Sequence, residues 1–559
     1  MTRLSRRFFI AFTLLALLLG GVGVSAPPGQ AADPPSTKIG RIDLDTTTIP
    51  ELQELMDDGR LSSARLVRFY LRRIEQLDRK VNAIIALSPT AQSDARAADR
   101  ARDIGAELPL LGIPVIVKDN INTTGMPTTA GSLALEDSTP PDAFIVEQLE
   151  AAGAVILGKA NLSEWANFRS LQSSSGWSAV GGQTNNPYVL DRNPCGSSSG
   201  SGAVPAANLA TVAIGTETDG SVVCPASANG IVGIKPSLGL ASRSGIVPLS
   251  AQQDTSGPMT RNVTDAAVVL GALTGVDPSD PITETSPGNV FEDYTQFLDA
   301  AALDGARIGV WRQGTFGASP EADAIMEQAI DTLEAAGATI VDPVEVAIEA
   351  AFEPEFTALL YEFKHDIAVY LETLPPDQPK TLQDLIDFNN ANADREMPFF
   401  GQEIFDLAQA TGDLTDPVYL AARETATSVA QAAIDDALDA DDLDAIVAPT
   451  GSPAWTTDLI NGDHFLTGSS TPAAVSGYAN ITVPAGFTFD LPVGMSFIGG
   501  KWDEPTLIGL AYAFEQAADV HQPPRFLPTT PRVGKSGKVK TDAEMPGKEA
   551  AEFLVPLTR

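Results

Sequence analysis

From about residue 110 onward, short apolar runs alternate with helical stretches, and this alternation restricts the chain to few folds. Ile113-Pro114-Val115-Ile116-Val117 is followed by a helical stretch from Ala143 to Ala152 and then by Ala154-Val155-Ile156-Leu157-Gly158. The pattern returns as Ala306-Arg307-Ile308-Gly309-Val310-Trp311, a helix opened by Ser319-Pro320-Glu321, and Ala338-Thr339-Ile340-Val341. Runs with so few polar residues belong to strands covered on both faces, so the expectation is an α/β sandwich with a buried sheet. Residues 350 to 440 read as mainly helical, and their segment EMPFFGQEIF suits either a wall or lid of a site or a core helix pair. AIVAPT, ITVPAGF and LPVGMSFIGG are strands and turns again, before a last helix, PTLIGLAYAFEQAA.

Upstream, Thr48-Ile49-Pro50-Glu51 has capping-box spacing and opens a helix that Gly59 ends. A second helix carries Leu66, Val67, Tyr70, Leu71, Ile74 and Leu77 at helical spacing, leaving Arg65, Arg68, Arg72 and Arg73 towards solvent. Neither a linker nor an internal repeat divides residues 46 to 530, which read as one domain. Residues 531 to 559, with Lys535, Lys538 and Lys540 among Gly and Ser, read as a weakly ordered tail.

Composition narrows the function. A formal charge of -36 over 559 residues repels nucleic-acid phosphates and anionic membrane surfaces, so neither is expected as a partner. The beginning of the chain has a basic stretch (Arg3, Arg6, Arg7), an apolar run from Phe8 to about Val24 and small residues near Ala31. Residues 1 to 31 therefore read as an export signal and 32 to 45 as a leader, leaving no membrane segment after cleavage. Arg6-Arg7, after Ser5 and before Phe8-Phe9, matches the twin-arginine route; an ordinary secretory signal is the alternative. Two cysteines, Cys195 and Cys224, allow one bridge or two buried thiols, and folding before export favours thiols. No metal-ligand spacing such as HExxH is present, and no cofactor is expected.

Chemistry concentrates in CGSSSGSGAVPAANLATVAIGTETDGSVVCP, residues 195 to 225. Gly196-Ser197-Ser198-Ser199-Gly200 matches GxSxG, with Ser198 as nucleophile of a Ser-His-Asp esterase. That elbow needs an apolar strand before it, where this chain has a polar turn, and a histidine, of which only His365, His464 and His521 exist. A second turn, Gly215 to Ser221, follows the apolar run Thr211-Val212-Ala213-Ile214, so its successive N–H groups can face one anion, with Ser221 as nucleophile. Without histidine the base is a lysine desolvated by burial, and Lys118, Lys159 and Lys235 each end an apolar run. Residue chemistry leaves all three open.

The blocks GIPVIVKDNINTTGMPTTAGS (112 to 132), GKANLSEWA (158 to 166), CGSSSGSGAVPA (195 to 206), GTETDGSVVCPASANGIVGIKPS (215 to 237) and QDTSGPMTRNVTDAA (253 to 267) resemble the amidase signature family. The resemblance implies a single large domain, a mixed β-sheet covered by helices on both faces, with its signature core at about 110 to 270. It also implies a Ser-Ser-Lys triad in which Lys118 is the base, Ser197 the bridging serine after a cis peptide bond at Gly196–Ser197, and Ser221 the acylated serine. Backbone N–H groups of Thr218, Asp219, Gly220 and Ser221 would form the oxyanion hole, while Ser198 and Ser199 brace the turn. Two positions depart from the family's pattern: Asp219 stands where many members have glycine before Gly-Ser, and Ser199 replaces a glycine of GGSSGGS.

The turn ETDGSVVCP, the segment FNNANADREMPFFGQEIF and the ending KWDEPTLIGLAYAFEQ look most like peptide amidases, which deamidate C-terminal peptide amides. The implied activity is hydrolysis of a linear carboxamide through an acyl-enzyme, on a small-molecule or peptide amide. Gln172 and Phe399-Phe400 are the expected pocket residues. Fatty-acid or aryl amides are the alternative substrates, and a catalytically silent extracellular binding protein is the alternative function.

Overall fold

The computed structural model describes residues 34–530. The proposed export signal and leader up to residue 33 and the tail from 531 lie outside the described residues. Eleven strands form the main sheet: β1 Ile84–Leu87, β2 Pro114–Lys118, β3 Val155–Ala160, β4 Val212–Glu217, β5 Val232–Lys235, β6 Thr255–Thr260, β7 Arg307–Trp311, β8 Thr339–Val344, β9 Ala445–Pro449, β10 Asn480–Thr488 and β11 Leu491–Ile498. Their order across the sheet is β8-β7-β9-β11-β10-β5-β6-β4-β2-β3-β1. Parallel pairs join β2 to β3 and β4, and β7 to β8 and β9, while the central strands pair antiparallel, so the sheet is mixed.

Every residue of β2, β3, β4, β5, β6, β9 and β11 is buried, as continuous apolar runs require. Helices supply the cover. Ser199–Ala206 packs on β4, Val223–Ala228 on β10 and β11, and Glu504–Ala518 on β10. Thr48 and Glu51 form the reciprocal capping box at the start of Ile49–Asp57.

The second helix, Ser63–Val81, buries Leu66, Val67, Tyr70, Ile74 and Leu77 as its period predicts, with one correction. Arg73 does not face solvent. It is buried, its Nε donating to Ala207 O at 3.1 Å and its Nη1 to Pro35 O, because the segment before the first helix crosses over that face. Burial pulls its guanidinium down to about 10.

The segment around Phe399-Phe400 is split, with Phe399 exposed and Phe400 buried. Both rings pack edge-on against Trp177, and Ile404 and Phe405 join Phe363 in a buried cluster under the long helix Phe352–Glu372.

Candidate active site

β2 and β4 lie side by side and parallel, with Val117 opposite Ile214, so Lys118 and Thr216 emerge at the same carboxyl edge of the sheet. Open sheets place their ligand sites at that edge. Two turns meet there. One holds Gly196–Ser197 and runs into the helix that leads to β4; the other leaves β4 through Thr218, Asp219, Gly220 and Ser221.

The peptide bond Gly196–Ser197 is cis, and a Cβ at Gly196 would overlap Ser163 Oγ, so only glycine fits. Gly220 has φ +77°, a left-handed conformation that glycine adopts without cost, and a Cβ there would stand 2.9 Å from Ser470 Oγ. The turns are tied together where Ser198 N–H donates to Ser221 O at 3.2 Å.

All three strand-end lysines are fully buried, and their partners separate them. Lys159 Nζ lies 3.3 Å from Asp119 Oδ1 and also donates to Ile121 O and Thr128 Oγ1. Lys235 Nζ donates to the carbonyls of Tyr478 and Pro236. Lys118 Nζ meets hydroxyls: Ser197 Oγ at 2.7 Å and Thr216 Oγ1 at 2.9 Å, with Thr216 O at 3.2 Å. Among the described residues no carboxylate lies within ion-pair distance of it.

Burial drives the Lys118 ammonium down to about 7, against the opposing charges of Asp254 and Glu217. The same desolvation lowers Lys235 to about 8, with Glu217 and Glu504 opposing. Lys159 is also lowered by burial, while the adjacent Asp119 charge pulls the other way.

Glu217, the last residue of β4, is buried and accepts from Val222 N–H at 2.8 Å and Val223 N–H at 3.1 Å. Those two donors are thereby occupied. The preceding ones, on Thr218, Asp219, Gly220 and Ser221, carry no side-chain or turn hydrogen bond among the described residues. Thr218 is braced instead through its side chain and carbonyl, by Asp254 Oδ1 at 2.6 Å and Gln253 Nε2 at 3.2 Å. The Asp219 carboxylate accepts from Ser470 Oγ at 2.5 Å and Thr471 Oγ1 at 2.7 Å, so it points away from the turn's N–H groups.

Ser198 and Ser199 brace the first turn. Ser198 Oγ donates to Thr216 O at 3.0 Å, and Ser199 Oγ to Cys195 O at 2.6 Å. Ser198 is fully buried, and His521 is engaged elsewhere with Asp45 at 3.2 Å, so the structure does not assemble a Ser-His-Asp site. Cys195 and Cys224 are joined as a disulfide, one of the two arrangements open from sequence and not the one that folding before export favours.

A cavity of about 410 Å³ opens on Gly196, Asp219 and Gly220, walled by Phe352, Trp455 and Phe465. A second, of about 390 Å³, touches Asn120, Thr216 and Thr218 and is lined largely by apolar residues such as Ile246, Val247 and Leu249. Gln172 lines neither; it sits on an exposed loop with its N–H on Ser170 Oγ. Phe399 and Phe400 line neither as well.

Sequence reasoning passed over Thr216, Asn120, Glu217 and Asp254. Three carried a local signal, Asn120 two residues beyond Lys118 and Thr216 and Glu217 in the stretch read as a glycine-rich turn, which the structure instead makes the end of β4. Asp254 reaches the turn only through the pairing of β6 with β4.

The family model described as Amidase matches residues 65–508. A probable amidase of Arabidopsis thaliana is 41% identical over 493 residues, covering 86% of this chain and 91% of the relative. Among solved structures, a peptide amidase in complex with the competitive inhibitor chymostatin is 50% identical with a TM-score of 0.83, covering 86% of this chain and 99% of that one. The native peptide amidase from Stenotrophomonas maltophilia is 48% identical with a TM-score of 0.82 over the same shares.

Proposed function

The chain belongs to the amidase signature family and is an amide hydrolase, and from that premise we propose that it is an exported serine amidase cleaving C-terminal peptide amides through an acyl-enzyme on Ser221. The contact of 2.7 Å between Lys118 Nζ and Ser197 Oγ carries the reading, because burial brings the amine down to about 7, so that above this pH it is mostly neutral and can accept a proton.

A neutral amine has two N–H donors and one lone pair. Thr216 O can only accept, and Thr216 Oγ1 lies equally within reach, so these take the two donors and the lone pair is left for Ser197 O–H. Lys118 then accepts the Ser197 proton while Ser197 Oγ takes that of Ser221, whose oxygen attacks the carboxamide carbon. The tetrahedral oxyanion lies against the N–H groups of Thr218 through Ser221; such a donor contributes about 3–4 kcal/mol. Ser197 returns the proton to the leaving nitrogen, ammonia departs, and water cleaves the ester by the reverse path. The proton passed from Ser197 to Lys118 crosses a single contact of 2.7 Å, so the buried charge formed there does not travel far.

The cleft on Gly220 supports a peptide amide as substrate. Its aromatic walls suit side chains, and its ionisable lining groups are the carboxylates Asp219 and Asp463, which favour an uncharged amide over the anionic acid product. Export is supported by the basic and apolar beginning of the chain and by the disulfide, which persists in oxidising compartments.

The test is ammonia release from peptide amides, amino-acid amides, anilides and fatty amides by wild type and Ser221→Ala. Release from peptide amides that falls on the order of 10⁴-fold or more in the variant is expected; release that survives in Ser221→Ala sinks the assignment of the nucleophile.

A further inference from the structure

The disulfide Cys195–Cys224 spans 29 residues of sequence and closes a ring around the reacting groups. Cys195 stands two residues before Ser197 and Cys224 three after Ser221. We propose that this bond is a positioning element of the active site, holding the Ser197 turn against the Ser221 turn, and that its reduction slows acylation without unfolding the protein. The inference rests on the roles given above to Ser197 and Ser221.

Besides the packing of helix Ser199–Ala206 on helix Val223–Ala228, two hydrogen bonds and one covalent link join these segments among the described residues. Asn229 Nδ2 donates to Pro194 O at 2.9 Å, Ser198 N–H donates to Ser221 O at 3.2 Å, and the disulfide is the covalent link between them. Cys195 is itself fixed, its N–H on Asn193 Oδ1 at 2.8 Å and its carbonyl accepting from Ser199 Oγ at 2.6 Å. Pulling on Cys195 therefore moves the backbone that carries Ser197.

Proton transfer between two hydroxyls requires hydrogen-bond reach, and a misplacement of about 1 Å costs on the order of 10²-fold in rate. No hydrogen bond joins Ser197 Oγ to Ser221 Oγ in the resting site among the described residues, so the approach of these two groups is the adjustable coordinate.

Reduction has a route and leaves the fold standing. Cys195 and Cys224 both line the 410 Å³ cleft, where a small reductant enters. Cys195 also packs in a cluster with Tyr188, Val222, Ala226 and Ile231, which holds the region once the bond is gone.

The experiment treats the native enzyme with a water-soluble phosphine. The S–S bond accepts two electrons, each sulfur leaves as a thiol with one proton from water, and the phosphine takes the water oxygen as its oxide. Thiols are counted, kcat and KM measured on a peptide amide, labelling of Ser221 by a fluorophosphonate timed, and far-UV circular dichroism recorded.

The expected result is two thiols per chain, kcat and labelling rate lower by about tenfold or more, KM within threefold, an unchanged spectrum, and recovery on reoxidation. Cys195→Ser/Cys224→Ser should show the same low kcat and no response to phosphine; if it fails to fold, the reduced native enzyme decides alone. Two titrated thiols with unchanged kcat overturn the proposal, as does a loss of kcat that only tracks loss of the circular-dichroism signal. Ser221→Ala, assayed before any reduction, separates this outcome from a failure of the triad reading.

Discussion

Replacing Lys118 with methionine separates the energetic consequence of a buried amine from its chemical use. Lys118 is fully buried, and desolvation brings it from 10.5 to about 7. Its pKa in the folded protein lies below the unfolded value, so the unfolded chain binds the extra proton between those limits and stability rises with pH there. Below about pH 7 the full cost applies, about 5 kcal/mol at about 1.4 kcal/mol per pH unit; above pH 10.5 it vanishes.

Lys118→Met removes this dependence. Its unmet partners are few, because Thr216 O keeps Ser198 Oγ and Thr216 Oγ1 keeps Asn120 Nδ2. Denaturant unfolding of both proteins at pH 7, 8 and 9 should show the stability of the variant relative to wild type falling by about 2 kcal/mol across that range. The same variant should lose hydrolysis, and the wild-type kcat/KM should rise about tenfold per pH unit up to about pH 7 and then level. Parallel stability curves for the two proteins would refute the argument, since they would mean that Lys118 keeps its proton in the fold.

Gly220→Ala forces a side chain into a left-handed turn 2.9 Å from Ser470 Oγ, and should lower kcat by about 10²–10³ by misaligning the oxyanion donors; a kcat within threefold of wild type would mean the turn does not hold the oxyanion. Lys159→Met strands the Asp119 carboxylate in the core and should cost about 3–5 kcal/mol in unfolding free energy, while kcat of the folded enzyme stays within a few-fold. A cost below about 1 kcal/mol would show that Asp119 holds no charge in the fold.

The periodic elements were readable because their signals are local. β2, β3, β7 and the capping box at Thr48 each show within a few residues. What sequence chemistry left open is non-local. Three lysines ending apolar runs look alike along the chain, and only the sheet decides that one meets a carboxylate, one carbonyls and one hydroxyls. Family resemblance chose Lys118, where residue chemistry had no means to. Arg73 was assigned to solvent for a related reason: the helix period describes one helix, and Pro35 and Ala207 cover it from elsewhere. Gln172 and Phe399-Phe400 were chosen as pocket residues from a segment's character, whereas the cleft's second wall comes from Trp455 and Phe465, in a loop with no apolar period to announce it.

The strand order divides the sheet into an early and a late half in chain order. Strands β1 to β6, encoded before residue 261, carry Lys118, Ser197 and Ser221, and they meet the later strands where Ile234 of β5 pairs with Ile481 of β10. The later half contributes Phe352, Trp455, Phe465 and Ser470 to the cleft. The two halves of the sheet share one seam, β5 with β10, while the loop bridges Val189–Leu527 and Arg192–Thr456 tie them outside the sheet, and the cleft takes lining residues from both. Substitutions at Phe352, Trp455 and Phe465 therefore reshape that cleft without altering Lys118, Ser197 or Ser221.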